Sequence, residues 1–273
     1  MKDDPGIGAT NELNLRVSVA TLVRVLFENP RDGQLILALE RKATLREAEK
    51  GREVEVKSQP FGGAIRILDP RALRELIGDF HFDSDRSYLE QDLRIYIRPS
   101  DWATVREFCV EHINRAEDLI LETGPERELA EEFADALKIT LRPDQYSHQP
   151  LATVVEDAPA PAENLSAKGV PTVRVYRIFE AHFSDSSLAH AMMKNSERFS
   201  HADLQRLALE DAGNGGKGRA NAVLALPLQR ISDAYLARTP GERNTPILFE
   251  GHRLDETVPA VLEGISVPKY QRR

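Results

Sequence analysis

Two long apolar runs joined by a turn constrain the fold of this chain more than any other feature. The first run is LRVSVATLVRVLF, Leu15 to Phe27, and the second is QLILALER, Gln34 to Arg41. Between them, Pro30 and the Asp32-Gly33 pair supply turn chemistry, so the runs predict a β-hairpin. Because both runs are continuously apolar, we expect both faces of their sheet to be covered, as in an α/β sandwich.

The rest of the chain predicts helices and strands around that hairpin in a single domain, residues 1–273. Residues 69–121 predict a small α+β insertion, with a strand at 93–97 and a helix opening at Asp101. The charge-dense residues 42–57 predict an exposed helical turn or a loop. Further predictions are a strand at 58–68, a strand at 138–142, a loop at 156–171, a strand at 172–183, helices at 202–209 and 254–262, and a strand at 222–226.

Composition excludes several classes of protein. The chain has 273 residues, 41% of them hydrophobic, which is enough to bury a core without disulfides. Its net charge of −8 argues against general nucleic-acid binding. A single cysteine, Cys109, predicts a reducing compartment and a buried small hydrophobe. No window approaches about 18 apolar residues and the N-terminus lacks an apolar core, so we expect a cytoplasmic protein without a membrane span.

The most informative segment is ETGPERELAEEFADAL, Glu122 to Leu137. Thr123 and Glu126 have the spacing of a capping box, which predicts a helix from about residue 124. On that helix four acids share an arc of about 100°. They are Glu128, Glu131, Glu132 and Asp135. The apolar positions fall on another face, so the helix is expected to pack one side and present carboxylates on the other.

Crowded carboxylates repel one another, and no Lys or Arg at helical spacing within the acidic arc offsets them. Hard divalent cations such as Mg²⁺ and Mn²⁺ prefer carboxylate oxygens and can bridge to a substrate phosphate. The pattern therefore suits a metal-assisted site for phosphoryl chemistry. An acidic face on an amphipathic helix is also commonly only solvated, and spacing alone does not separate the two interpretations.

The run RELAEE, Arg127 to Glu132, resembles the centre of the Nudix box, and the order of elements from residue 13 to residue 264 resembles that of a Nudix hydrolase. The resemblance implies an α/β/α sandwich that hydrolyses a nucleoside diphosphate linked to another moiety. It also implies Mg²⁺ or Mn²⁺ held by Glu128, Glu131 and Glu132. Arg127 would orient the helix through an ion pair, and Gly62 and Gly63 would lie beside the metal loop as substrate-binding residues.

The chain departs from the family's pattern in three places. About sixty residues separate Gly63 from Arg127, so the box is split by the insertion. Leu119 stands where the family has an upstream glutamate, and Glu122 could replace it only if the first helical turn is short. Ala134 replaces the family's glycine, and Asp135 follows it.

Three functions remain open. The leading one is a metal-dependent hydrolase acting on a small nucleotide substrate. The second is a Nudix-like module that binds or senses a nucleotide without cleaving it, in which the insertion would be a surface for a protein partner. Such divergent domains also resemble ones associated with bacterial nucleotide-signalling defence systems. The third is a structural protein whose acidic helix is merely solvated.

The glycine-rich run GNGGKG, Gly213 to Gly218, is a weaker candidate for phosphate binding. Its glycine spacing is wrong for a P-loop, and Arg219 stands where that loop needs Ser or Thr. A loop following a helix is the expected structure, from which Lys217 and Arg219 could still touch a substrate phosphate.

Overall fold

The computed structural model of the protein describes residues 13–48, 51–161, 167, 169–238 and 247–262. In this part of the chain, eleven strands form one mixed sheet. They are β1 (Leu15–Glu28), β2 (Leu35–Ala48), β3 (Gly51–Gln59), β4 (Phe61–Ala64), β5 (His81–Phe82), β6 (Arg94–Ile97), β7 (Tyr146–Pro161), β8 (Pro171–Phe183), β9 (Arg219–Pro227), β10 (Ile247–Phe249) and β11 (His252–Leu254).

Eight helices accompany these strands in the described residues, so the predicted α/β class is confirmed. The helices are α1 (Pro70–Ile77), α2 (Asp85–Glu90), α3 (Trp102–Ile113), α4 (Glu126–Leu137), α5 (Ser186–Arg198), α6 (His201–Gly213), α7 (Leu228–Leu236) and α8 (Val258–Leu262). None of the described helices is long and apolar enough to cross a membrane.

Strand β1 is the centre of the sheet. Along one edge it pairs in parallel with β8, from Arg16↔Thr172 to Phe27↔Phe183. Along the other edge it pairs in succession with β6, β4 and β2, each antiparallel. Its side chains are buried on both faces, which accounts for the continuous apolar run in the sequence.

The prediction of a helical turn or loop at residues 42–57 is wrong. Strand β2 continues to Ala48, and β3 pairs antiparallel with it through Glu40↔Gln59 and onward. The apolar positions Ala43, Val54 and Val56 are buried against α6, while charged residues alternate with them. The alternation of apolar and charged residues is a better predictor of structure here than the high charge, because a strand buries only every second side chain.

The predicted strand at 58–68 is divided at Pro60. Before it, Gln59 of β3 lies opposite Glu40 of β2, and after it, Phe61 of β4 lies opposite Val23 of β1. The chain thus passes from the edge of β2 to the edge of β1. This crossing sets the glycine pair of β4 beside the middle of β1.

The insertion at 69–121 contains helices and strands as predicted, and its strand β6 joins the main sheet at Leu15–Ser18 of β1. Apolar side chains of β6 and α3 share one buried cluster with β1 and β8. Cys109 lies fully buried in that cluster, which confirms its role as a small hydrophobe. Asp101 makes no side-chain cap bond to α3, because a short 3₁₀ turn at Pro99–Asp101 already precedes the helix.

The region after the acidic helix differs from the prediction. Residues 138–142 form no strand, because Lys138 adopts the left-handed conformation (φ 60°) that ends α4. Strand β7 begins instead at Tyr146 and extends to Pro161, within the segment expected to be a loop from residue 156. The rest of that expected loop falls partly outside the described residues. β7 pairs with β8, whose predicted span is confirmed.

The C-terminal part of the chain adds α5, which the sequence did not predict. Asn195 and Ser196 of α5 accept hydrogen bonds from the backbone N–H groups of Val223 and Ala225. These bonds cap the edge of β9 that β2 does not occupy, so it is not left open to other chains. The helix expected at 254–262 begins only at Val258, because β11 includes Leu254.

Candidate functional site

Helix α4 carries the predicted acidic run and begins at Glu126. Its N-cap is Pro125, which makes no side-chain bond, so the predicted capping box is wrong. The Thr123 hydroxyl instead donates to the carbonyl of Ala116 at 3.3 Å. Residues up to Pro125 are therefore not helical, and the first turn of the helix starts later than the sequence suggested.

The apolar face of α4 packs as predicted. Leu129, Phe133 and Ala136 are buried in a cluster that includes strands β1, β2, β4, β8 and β9. The Phe133 ring lies between Phe61 and Phe183, with ring centroids 4.9 and 5.0 Å away. This packing fixes the rotation of α4 above the sheet.

The glutamates of α4 do not share one solvent-exposed face. Glu128 is only 6% exposed, and Glu132 is mostly buried. The Glu131 side chain is 54% exposed, and Asp135 is exposed. The acidic arc is thus divided between two carboxylates facing the sheet and two facing solvent.

The structure brings the glycine pair of β4 against this helix. A Cβ atom added at Gly63 would overlap the Glu128 carboxylate. At Gly62, where φ is +135°, a Cβ would overlap the carbonyl of Thr21 on β1. Both glycines therefore permit close approach, one toward the neighbouring strand and one toward the acidic helix. The insertion does not separate the two halves of the split box in space.

Arg127 connects the residues of this site. Its guanidinium contacts the carboxylates of Glu122 and Glu128 at 2.6 and 2.7 Å and that of Glu131 at 3.3 Å. It also donates to the carbonyl of Ala64 at 3.0 Å, which ties α4 to β4. The expectation that no basic residue offsets the acidic arc is wrong, because Arg127 lies at i,i+4 from Glu131.

Glu122 takes part in this network from the segment before α4. Arg127 Nε donates to both of its carboxylate oxygens, at 2.9 and 3.1 Å. The backbone N–H of Glu122 donates to the carbonyl of Arg66 at 2.9 Å, so the end of the insertion is held beside the continuation of β4. The exposed Leu119 does not occupy this place.

A second group of charges, which the sequence did not indicate, surrounds Glu132. Lys42 Nζ lies 3.0 Å from Glu40 and 3.7 Å from Glu132. Glu40 is fully buried and accepts hydrogen bonds from Gln59 and Asn221 at 3.1 and 2.7 Å. The i,i+2 spacing of Glu40 and Lys42 puts both on one face of β2, which is the only sequence signal for this group.

Burial changes the acidity of the two inward carboxylates. Burial raises the pKa of Glu128 to about 7, against the opposing charge of Arg127. Burial and the adjoining Glu40 carboxyl raise the pKa of Glu132 far above its usual value, and Lys42 opposes this only in part. One oxygen of Glu132, Oε2, is buried without a hydrogen-bond partner. Both carboxyls therefore retain a proton more readily than an exposed glutamate does, which lowers the negative charge at the site.

The carboxylates of the site are also candidate metal ligands. Carboxylate oxygen is the donor that Mg²⁺ and Mn²⁺ prefer, and the buried Glu132 Oε2 has capacity for one more partner. In the part of the chain that is described, no three His, Cys, Asp or Glu side chains converge closely enough to hold a metal ion. The donor type fits a divalent cation, while Glu128 and Glu132 are at present paired with Arg127 and Lys42.

The glycine-rich run begins at Gly213, the last residue of α6, and residues 214–218 form a loop before β9, as expected. Asp211 accepts hydrogen bonds from the backbone N–H groups of Gly218 and Arg219, at 2.8 and 3.2 Å. The order of elements is helix, loop and strand, which is opposite to that of a P-loop. The loop is therefore held by a side chain of α6.

Comparisons of the chain with protein-family models, with curated proteins and with solved structures found no match.

Proposed function

We propose that the protein is a divalent-cation-dependent hydrolase of the Nudix type, acting on a pyrophosphate bond in a nucleoside diphosphate linked to another moiety. The observation that carries the proposal is the contact between Gly63 of β4 and the Glu128 carboxylate of α4. The two lie far apart in the sequence, and the resemblance requires them to meet. A solvated acidic helix has no need of a glycine backbone against a buried carboxylate.

The residues have separate tasks in this proposal. Glu128, Glu131 and Glu132 are the proposed ligands of the cation, and its binding would require Glu128 and Glu132 to leave their ion pairs with Arg127 and Lys42 and converge on it. The bound cation would polarise a phosphoryl oxygen and favour attack by water. Arg127 positions Glu128 and Glu131 through its ion pairs and fixes α4 to the carbonyl of Ala64. The absence of a side chain at Gly63 leaves room for the Glu128 carboxylate against β4.

The proposal is tested by turnover of candidate substrates with Mg²⁺ or Mn²⁺. A suitable panel is ADP-ribose, NADH, diadenosine polyphosphates and oxidised nucleoside triphosphates. We expect release of phosphate or a mononucleotide that stops with EDTA and returns with the cation. Glu131→Gln should lower the rate by about 100-fold or more, because it removes a group that stabilises charge during the reaction.

Asp135→Asn is the matched control for this variant. Asp135 is an exposed acid one helical turn after Glu131 and is not part of the Arg127 network. Its neutralisation should leave the rate within about twofold. Equal losses in both variants, or full activity in Glu131→Gln, would contradict the proposed role of Glu131.

A second function, nucleotide binding without hydrolysis, is favoured by a specific observation. Lys42 places an ammonium group between Glu40 and Glu132, where it neutralises a carboxylate that a cation would otherwise take. A binding module needs no divalent ion and would keep this arrangement. Thermal stabilisation by a nucleotide in EDTA, with no turnover of the whole panel, would favour this function over hydrolysis.

A further inference from the structure

A groove on the insertion lies beside the candidate site and has no role in the proposal so far. It encloses about 600 Å³, a volume typical of small-molecule pockets. Residues from the start of α1, from β5 and α2, and from the segment before Glu122 line it. Among them are Leu68, Arg71, Arg74, Phe82, Tyr88 and Leu119.

Apolar side chains form part of the groove's lining, which is polar over most of its area and open to solvent. The Tyr88 ring is 57% exposed and meets the Phe82 ring edge-on at 5.6 Å, and Leu119 is 90% exposed. Five of the eight large exposed hydrophobics among the described residues lie between 68 and 119. An accessible aromatic ring with aliphatic neighbours is a surface on which a planar base can stack.

The rim of the groove carries guanidinium groups. Arg74 lies over the Phe80 ring, 5.5 Å from its centroid, and Arg71 donates to Asp69 at the N-terminus of α1. Arginines beside an aromatic surface can bind a phosphate next to a stacked base. A groove of this volume suits one such ligand.

Short segments of chain connect the groove to the candidate site. Gln91 lines the groove, and the next residue, Asp92, adds its negative charge to the surroundings of Glu128. Four residues of chain lead from Ala64, which accepts from Arg127, to Leu68 of the groove, so their Cα atoms are at most about 14 Å apart. A molecule extended through a pyrophosphate is of comparable length.

We propose that this groove on the insertion binds the base and adjacent phosphate of a nucleotide moiety. Tyr88 would stack on the base and Arg74 would bind the phosphate. The assignment of the groove as a substrate subsite rests on the proposed function. Binding of a mononucleotide by the groove does not depend on the proposed function.

AMP is the probe, and its affinity is measured by calorimetry in EDTA, where no hydrolysis occurs. Tyr88→Ala should weaken AMP binding by about 5- to 100-fold, the range expected for loss of one aromatic stack. Leu89→Ala is the control, because Leu89 is an exposed neighbour on α2 that does not line the groove. Arg74→Gln should weaken AMP binding but leave adenosine binding unchanged.

The outcomes separate the two proposals. If AMP does not bind the wild-type protein, or binds Tyr88→Ala equally well, the groove proposal is overturned, whether or not the panel is hydrolysed. If Tyr88→Ala weakens AMP binding while no member of the panel is cleaved, the groove proposal is supported and the hydrolase proposal is overturned. If both hold, Tyr88→Ala should raise KM for ADP-ribose and leave kcat near its wild-type value.

Discussion

Gly63 is the residue at which the two halves of the split box meet. The close contact of Gly63 with Glu128 can be tested by adding one methyl group at this position. Gly63→Ala would place a Cβ in the space of the Glu128 carboxylate. We expect the free energy of unfolding to fall by about 1–3 kcal/mol, because neighbouring groups must shift to admit it. Urea denaturation measures this change.

The control for that substitution is Gly213→Ala, where a Cβ meets nothing within 4 Å. It should leave stability unchanged or slightly raised, since alanine loses less conformational freedom on folding. If both variants unfolded at the same urea concentration, the close contact between Gly63 and Glu128 would be refuted.

At the same scale, the resemblance of residues 127–132 predicted that the glycine pair lies near the acidic helix, and it did not predict the ion pairs of Glu132. Contact between Gly63 and the acidic helix was expected, and the structure contains it. The i,i+2 spacing of Glu40 and Lys42 did not predict their role in the site, because a charged residue on a strand is ordinarily exposed. Only the packing of β2 beneath α4 buries them beside Glu132.

At the scale of elements, the segment between α3 and α4 is held by one carboxylate. Asp118 accepts from the backbone N–H groups of Ile120 and Leu121 at 2.7 and 2.9 Å, and it contacts His112 at 2.8 Å. Burial opposes ionisation, but these donors keep the pKa of Asp118 down at about 2. The segment leads directly to Glu122.

Asp118→Asn should lower the free energy of unfolding by about 1–3 kcal/mol at pH 7, because it leaves buried donors without a charged acceptor. Since the pKa is depressed in the folded state, this contribution is present above the ordinary value of about 4 and is lost as the pH falls toward 2. The stabilities of wild type and variant should therefore converge in acid. Asp144→Asn, at an exposed position, should change little at any pH.

At the scale of the whole molecule, the insertion is part of the main sheet. Strand β6 pairs with Leu15–Ser18 of β1, and its apolar residues share a cluster with Val17 and Val173. Replacing residues 69–121 by a short linker should therefore abolish cooperative unfolding, since it exposes the N-terminal half of β1. A folded deletion variant with an unchanged thermal transition would show instead that the insertion is an independent unit.

The sequence by itself determined the local periods: the continuously apolar hairpin, the apolar face of α4 and the α/β class, which depend on neighbours in the chain. The sequence-based prediction was wrong at residues 42–57, because their high charge concealed two strands. It was also wrong at residues 138–142, because the left-handed conformation of Lys138 ends α4 there and no strand follows directly. Only the tertiary structure decided which carboxylates are buried, that Arg127 joins three of them, and that the insertion borders the site. Burial and ion pairing depend on contacts between elements that are distant in the sequence, and local sequence patterns do not predict those contacts.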